Sequence, residues 1–330
     1  MQIPKDPLAR FREIYDELHR RRTWTIGVTP LRNSTVALLC TPGRAYDVAD
    51  RVYQVADVLK KRAGWFGPLV SPIRFSVAAM LVMSGDDPQR FCDDVERAGE
   101  LFRERSLRRG SIFEVLAILI LRGADASRRI SATDVDRFAQ IHAMMKSHHR
   151  WLTGPDDYPA CALLTHQVES VHEMARRIEN HYEGLRGAGL PAGNPLQLVS
   201  HVLYLNPAGD REALRRFLDL HRAFREAGVR MWQSDFDELA TLALLDGPAA
   251  GIVELVVRHR EDLKTLRPHP DPWQSFSLAC ATACVELLGR QVGSGEPRDP
   301  QAVVHFQSLM VAHQAAIAAQ NSQAAVGAAG

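Results

Sequence analysis

The strongest constraint on this chain is a recurrence. Segments rich in small and aliphatic residues return at intervals of 42, 38, 45, 37, 41 and 39 residues, centred on Ala37, Ala79, Ala117, Ala162, Val199, Ala240 and Ala279. Seven unrelated helices would not keep such a rhythm, whereas one helical hairpin per unit does. The stretch Asn194 to Leu245 shows a complete unit. A small-residue helix (PLQLVSHVLYL) turns at Asn206-Pro207-Ala208-Gly209 into the amphipathic DREALRRFLDLHRAFREAG, and FDELATLALL starts the next copy. The spacing therefore predicts an all-α fold, a right-handed array of about seven α-hairpins forming an α-solenoid, with curling toward an α/α toroid as its variant.

Each hairpin is read as a tightly packed helix A, a short turn and a longer amphipathic helix B. The B helices are expected at 45–62, 87–104, 132–148, 166–186, 209–226, 249–264 and 300–319, after an N-terminal capping helix from Pro7 to Arg22. In the fourth B helix, Val168, Val171, Ala175, Ile178, Tyr182 and Leu185 recur at intervals of three and four and define its packed face. Asp6-Pro7, Ser71-Pro72, Asp87-Pro88, Asn194-Pro195, Asp271-Pro272 and Asp299-Pro300 each pair a capping residue with proline at the first helical position. Ser111 with Glu114 has capping-box spacing, with weaker versions at Ser131 with Asp134 and Ser234 with Asp237. The glycines that close KKRAG, SLRRG, GLRGAG and AFREAG follow a basic last turn, the pattern of a left-handed helix end. Residues 1–314 are expected to be one helical-repeat domain with a kink near 122–131, and the alanine-rich tail 315–330 to be disordered.

Charge narrows the partners. With 40 Lys+Arg against 39 Asp+Glu there is no basic excess of the kind that phosphate contacts leave on a nucleic-acid binder. No run approaches the roughly 18 apolar residues of a membrane span, and the start of the chain has no apolar signal core, so a cytoplasmic protein is expected. The five cysteines are odd in number and widely spread. Four of them (Cys40, Cys161, Cys280 and Cys284) lie on helices A, where a thiol packs as a small hydrophobe. No phosphate loop, dinucleotide fingerprint or nucleophile elbow is present, and no cofactor is expected.

Three sets of residues remain as candidates. Trp24, Trp65, Trp151, Trp232 and Trp273 all fall 6 to 14 residues before a helix A marker, near one edge of the array. There they either line a binding groove or plug the gaps between hairpins. Five residues before each marker stand Arg32, Arg74, Ile112, Asp157, Asn194, Asp235 and Gln274, a rim whose charges could orient a partner or simply act as solvated first-turn residues. The third set is Asp156, Asp157 and Tyr158, flanked by His148, His149 and His166. Carboxylates beside imidazoles suit acid–base or metal-assisted hydrolysis. Adjacent aspartates diverge, however, and Glu169-x-x-His172 is a single copy of a motif that di-iron sites need twice, so no metal is expected. Cys280-x-x-x-Cys284 sits among alanines and reads as close packing.

The segment LTGPDDYPACALL (152–164), the helix after it that ends YEGLRGAG, and the helical layout resemble the uncharacterised bacterial proteins grouped as domain of unknown function 4003. The resemblance covers most of the chain, implies no established activity and transfers no catalytic residue. The resulting expectation is a protein of unknown function, more in keeping with a non-enzymatic binding or scaffold protein than with an enzyme. Its partner would be a protein, a peptide or a small molecule, with neither nucleic acid nor membrane, held at the concave face or at an edge carrying Trp65, Trp151, Trp232, Trp273, Arg32, Arg74, Asp156, Asp157 and Tyr158. The alternative is a hydrolase-like or metal-dependent enzyme with its site near Asp156, Asp157, His148 and His149.

Overall fold

In the computed structural model the described residues are 1–64, 67–108, 110–123, 129–148 and 153–294. Among them the chain is all-helical, with fourteen α-helices, three short 3-10 turns and no strand. The described residues divide into two compact units, one of Met1–Gln2 with Arg10–Gln167 and the other of Ile3–Ala9 with Val168–Ser294.

The first unit holds most of α1 (Pro7–Arg20), then α2 (Val28–Leu38), α3 (Ala45–Arg62), α4 (Arg74–Ser84), α5 (Pro88–Glu104), α6 (Ile112–Arg122), α7 (Ala132–His148) and α8 (Tyr158–Thr165). Like packs on like: α2 lies against α4 and α6 against α8, while the amphipathic α3 and α7 both meet α5. Composition explains the sorting. The α6 sequence IFEVLAILILR has no polar face and all eleven of its residues are buried, whereas α5 buries Phe91, Cys92, Asp94, Ala98, Gly99 and Phe102 and leaves its other face to water. The second unit repeats this with α9 (Val171–Gly187), α10 (Asn194–Tyr204), α11 (Asp210–Glu226), α12 (Phe236–Leu242), α13 (Ala249–Leu263) and α14 (Pro272–Ser294). Here α12 touches both α10 and α14, and α11 touches both α9 and α13.

All seven markers of the recurrence fall in helices, and α3 and α7 have the expected bounds. The fourth amphipathic helix is a correction. It begins at Val171 instead of residue 166, because the Ser170 hydroxyl accepts the Glu173 N–H at 3.2 Å and starts the helix there; Val168 precedes it and is fully exposed. The expected helix 300–319, the Asp299-Pro300 cap and the tail 315–330 lie outside the described residues, as do residues 124–128 of the expected kink.

Short-range caps behave as the sequence suggests where nothing competes. Asp6, Asp87 and Asp271 accept from the N–H groups of Ala9, Arg90 and Gln274 at 2.9, 2.9 and 2.8 Å. Ser131 and Asp134 form a reciprocal box at 2.8 and 3.2 Å. Two caps fail. The Ser71 hydroxyl donates to Pro68 O within a 3-10 turn, so α4 starts at Arg74 without a side-chain cap. Asn194 is already helical, and Gly193 at φ 151° holds the capping place.

The glycine of SLRRG also has a different role, since Gly110 lies beyond the end of α5. The left-handed position there is Ser106 at φ 57°, with Ser106 N–H donating to Arg103 O and Leu107 N–H to Phe102 O, both at 3.0 Å. The same pair of bonds closes α9 around Gly189 and α11 around Gly228. A side chain in this conformation costs about 1 kcal/mol relative to glycine. Ser106→Gly should therefore stabilise the protein by up to about 1 kcal/mol in urea denaturation; an unchanged or lower midpoint would count against the strain assignment.

A second recurring device joins an amphipathic helix to the end of a small-residue helix. Arg10 in α1 donates to the carbonyls of Thr41 and Gly43 just past α2, at 3.0 and 2.8 Å. Arg137 in α7 reaches Thr165 O and Gln167 O at the end of α8, at 3.2 and 2.6 Å. Arg216 in α11 reaches Leu245 O past α12 at 3.1 Å and pairs with Asp246 at 2.5 Å. Each places a cation on carbonyls that the helix leaves unsatisfied at the negative end of its dipole.

Candidate functional site

The densest set of candidates lies between α7 and α8. The 3-10 turn Pro155–Asp157 leads into α8, and the Asp157 carboxylate accepts the Gly154 N–H at 2.9 Å. Burial pushes the Asp157 carboxyl up to about 7, the Gly154 N–H opposes that shift, and the neighbouring Asp156 adds to it. Tyr158 is buried rather than on an accessible edge. Its hydroxyl accepts the Arg108 N–H at 2.8 Å, and its ring meets Phe138 and His142 edge-on at 5.4 and 5.2 Å. Burial lowers His142, and a hydrogen bond to the Gly154 backbone opposes this in part. Asp157 thus holds Gly154 and serves the turn, whereas the His142 Nε2 is buried without a hydrogen-bond partner. His149 lies outside the described residues and the His148 side chain is not among those described. His166 turns the other way, its Nε2 2.9 Å from Ile120 O.

The second unit contains the same construction. Arg137-Phe138-x-x-Ile141-His142 in α7 corresponds to Arg216-Phe217-x-x-Leu220-His221 in α11. Phe236 takes the place of Tyr158, meeting Phe217 at 6.2 Å and His221 at 5.7 Å. Asp235 takes the place of Asp157 and accepts the Trp232 N–H at 2.7 Å. Burial raises the Asp235 carboxyl as well, again opposed by the N–H it accepts. Asp157 and Asp235 thus do the same job, each accepting a backbone N–H in the turn before a small-residue helix.

The other expected residues separate by burial. Of the rim, Arg32, Arg74, Ile112, Asp235 and Gln274 are buried, with Arg32 only 1% and Arg74 8% exposed, so most of it faces the interior instead of water. The tryptophans divide. Trp24 is 93% exposed, Trp232 is 52% exposed with the Arg230 guanidinium 4.0 Å from its ring centroid, and Trp273 is half-buried in the first turn of α14. Trp65 and Trp151 lie outside the described residues. All five cysteines are buried free thiols. Burial raises Cys280 far above its ordinary range, and Cys40 to about 12. Such thiols pack rather than react.

Two polar clusters of the second unit have no short-range signature. Arg177 grips Asp210 through Nε and Nη2 at 2.8 and 2.5 Å and Glu169 at 3.1 Å, while Tyr204 donates to Glu169 at 2.7 Å. The Arg177 bond and charge hold Asp210 below the usual carboxylate range. In the other cluster His259 links Thr282, 2.8 Å from Nδ1, to Glu286, 2.8 Å from Nε2. A hydroxyl, an imidazole and a carboxylate in series have the composition of a hydrolytic triad. Thr282, however, is wholly buried and bonds to Leu278 O at 2.9 Å within α14, so no substrate reaches it. The Arg177 and Arg216 placements could have been found in the sequence, as arginines at the seventh position of successive amphipathic helices.

Among the described residues no three His, Cys, Asp or Glu side chains come together as a metal site, and no helix is long and apolar enough to cross a membrane. The Bacillus subtilis (strain 168) protein printed as "Uncharacterized protein YeaA" is 23% identical over 238 residues, 71% of each chain. No solved structure matches. The model of the family described as "Protein of unknown function (DUF4003)" matches residues 14–285, and the chain belongs to that family.

Proposed function

We propose that the protein is a non-enzymatic binding or scaffold protein, an α-solenoid of about seven hairpins that takes a protein or peptide at the edge where the chain enters the small-residue helices. The observation that carries this reading is the exposure of an indole just before a small-residue helix in each unit, Trp24 in the first and Trp232 in the second. An indole in water forgoes a large burial gain, and buried tryptophans dominate partner contacts once covered. The repeated packing of like helices on like within each unit supports the solenoid. Asp157 and Asp235 are fastened to backbone N–H groups, and His259 to Thr282 and Glu286.

A photo-reactive phenylalanine analogue placed in the full chain, in cells, tests this reading. At positions 24 and 232 discrete protein adducts are expected, and at the exposed helix positions Arg51 and Asn180 none. Adducts at all four positions alike, or at none, would remove the edge as the partner surface.

A further inference from the structure

The first unit gathers cations and neutral donors in one cluster. Arg74, the first residue of α4, is 8% exposed; its Nη1 donates to Val70 O and Ser71 O at 2.8 and 3.1 Å, and its guanidinium stands 4.9 Å from the Phe75 ring. Its Nε has no acceptor, and among the described residues it makes no ion pair. Tyr53 of α3 meets Phe75 edge-on at 5.1 Å and donates to Leu18 O at 2.9 Å. In the same turns of α1, Tyr15 is buried with a hydroxyl that makes no hydrogen bond of normal geometry, although the Arg32 guanidinium lies 5.4 Å from its ring. The His19 ring follows at 5.5 Å, and its Nε2 is likewise buried without a partner. Arg22, on the exposed loop after α1, donates to Ile26 O at 3.3 Å and makes no ion pair among the described residues.

The electrostatics agree with this geometry. Burial raises both phenols, Tyr53 to about 12, and arginine charges oppose the shift, Arg22 acting on both. Burial also lowers Arg74, and the charges of Asp57 and Tyr53 oppose that shift without cancelling it. Buried donors left without acceptors are rare in native proteins and call for a ligand, a water or an ion to explain them.

We propose that the cluster of Tyr15, His19, Arg22, Arg32, Tyr53 and Arg74 binds the phosphate group of a small phosphorylated ligand. Phosphate fits better than carboxylate because it offers three or more oxygens to several donors and matches the guanidinium fork. Arg22, at the solvent side, is the entry contact, and Arg74 with the Tyr15 hydroxyl is the interior one. The site is independent of the partner edge proposed above.

Calorimetric titration of the full-length protein with inorganic phosphate and with pyrophosphate, against sodium chloride at matched ionic strength, tests the assignment. Saturable binding of at least one probe is expected. Loss of a charge-assisted contact in Arg22→Ala should weaken it about tenfold, and Tyr15→Phe, which removes only the hydroxyl, several-fold. Arg74→Met should abolish it; should that variant not fold, the exposed Arg22→Ala and the isosteric Tyr15→Phe decide. Absence of binding of either probe, or binding that Arg22→Ala and Tyr15→Phe leave unchanged, would overturn the proposal.

Discussion

Replacing Arg122 by methionine should cost the protein roughly 3–5 kcal/mol, read as a lowered midpoint in urea denaturation followed by helical circular dichroism. Arg122 ends α6 and is 1% exposed. It pairs with Asp86 through Nη1 and Nη2 at 2.6 and 3.0 Å and with Asp94 through Nε at 3.0 Å, and both acidic side chains are themselves buried. Its guanidinium also lies 5.5 Å from the Phe91 ring. Methionine fills much of the same volume, so the loss measures charge, not a cavity. It leaves two carboxylates buried together, with Arg97 holding only Asp94, at 2.6 Å. Adding Asp86→Asn and Asp94→Asn to Arg122→Met should therefore restore more than half of the lost stability, because neutral amides remove the repulsion. Arg122→Lys should fall between, since one ammonium cannot serve two carboxylates in fork geometry. A loss below about 1 kcal/mol for Arg122→Met would mean that the cluster is solvated in a way its burial contradicts.

That ion cluster shows why some of this molecule is legible in the sequence and some is not. Helix placement depends on neighbours within a few positions. The small-residue segments, the aspartate caps at 6, 87 and 271 and the glycine ends at 189 and 228 are all visible in the sequence for that reason. Errors of placement arose where a second local signal competed. Ser170-x-x-Glu173 has capping spacing and outweighs the apolar Val168, and Ser106 adopts the left-handed conformation that Gly110 was expected to supply. Burial of the rim was not legible, because Arg32, Arg74 and Asp235 look like solvated first-turn residues until neighbouring hairpins cover them. Contacts between helices, such as Arg137 to Thr165 O or Arg177 to Asp210, join residues about thirty positions apart. Only a comparison of helices with one another, which the paired Arg-Phe-x-x-Ile/Leu-His segments permit, would have exposed them.

The duplication of the capping aspartate leads to the prediction with the clearest sign. Asp157 has a carboxyl raised by burial to about 7, against an ordinary value near 4 in the unfolded chain. A native state that holds its proton more tightly loses stability as pH rises from about 4 to about 7, and is level above that. About three units correspond to an upper bound of roughly 4 kcal/mol, reduced to about 2–3 kcal/mol because part of the residue still reaches solvent. Asp157→Asn keeps a carbonyl oxygen for the Gly154 N–H and cannot ionise. It should raise stability at pH 8 by on the order of 2–3 kcal/mol and leave it nearly unchanged at pH 4.5. Other groups titrate over the same range, including His142 and His221, both of which burial lowers. Their contributions cancel in the difference between the two proteins at each pH. Equal denaturation midpoints at pH 8 would show that Asp157 carries its charge at no cost. A loss of stability at both pH values would show that the Gly154 contact needs the carboxylate itself. The expected result is a residue that the fold keeps largely as a neutral acid below about pH 7, holding the turn before α8.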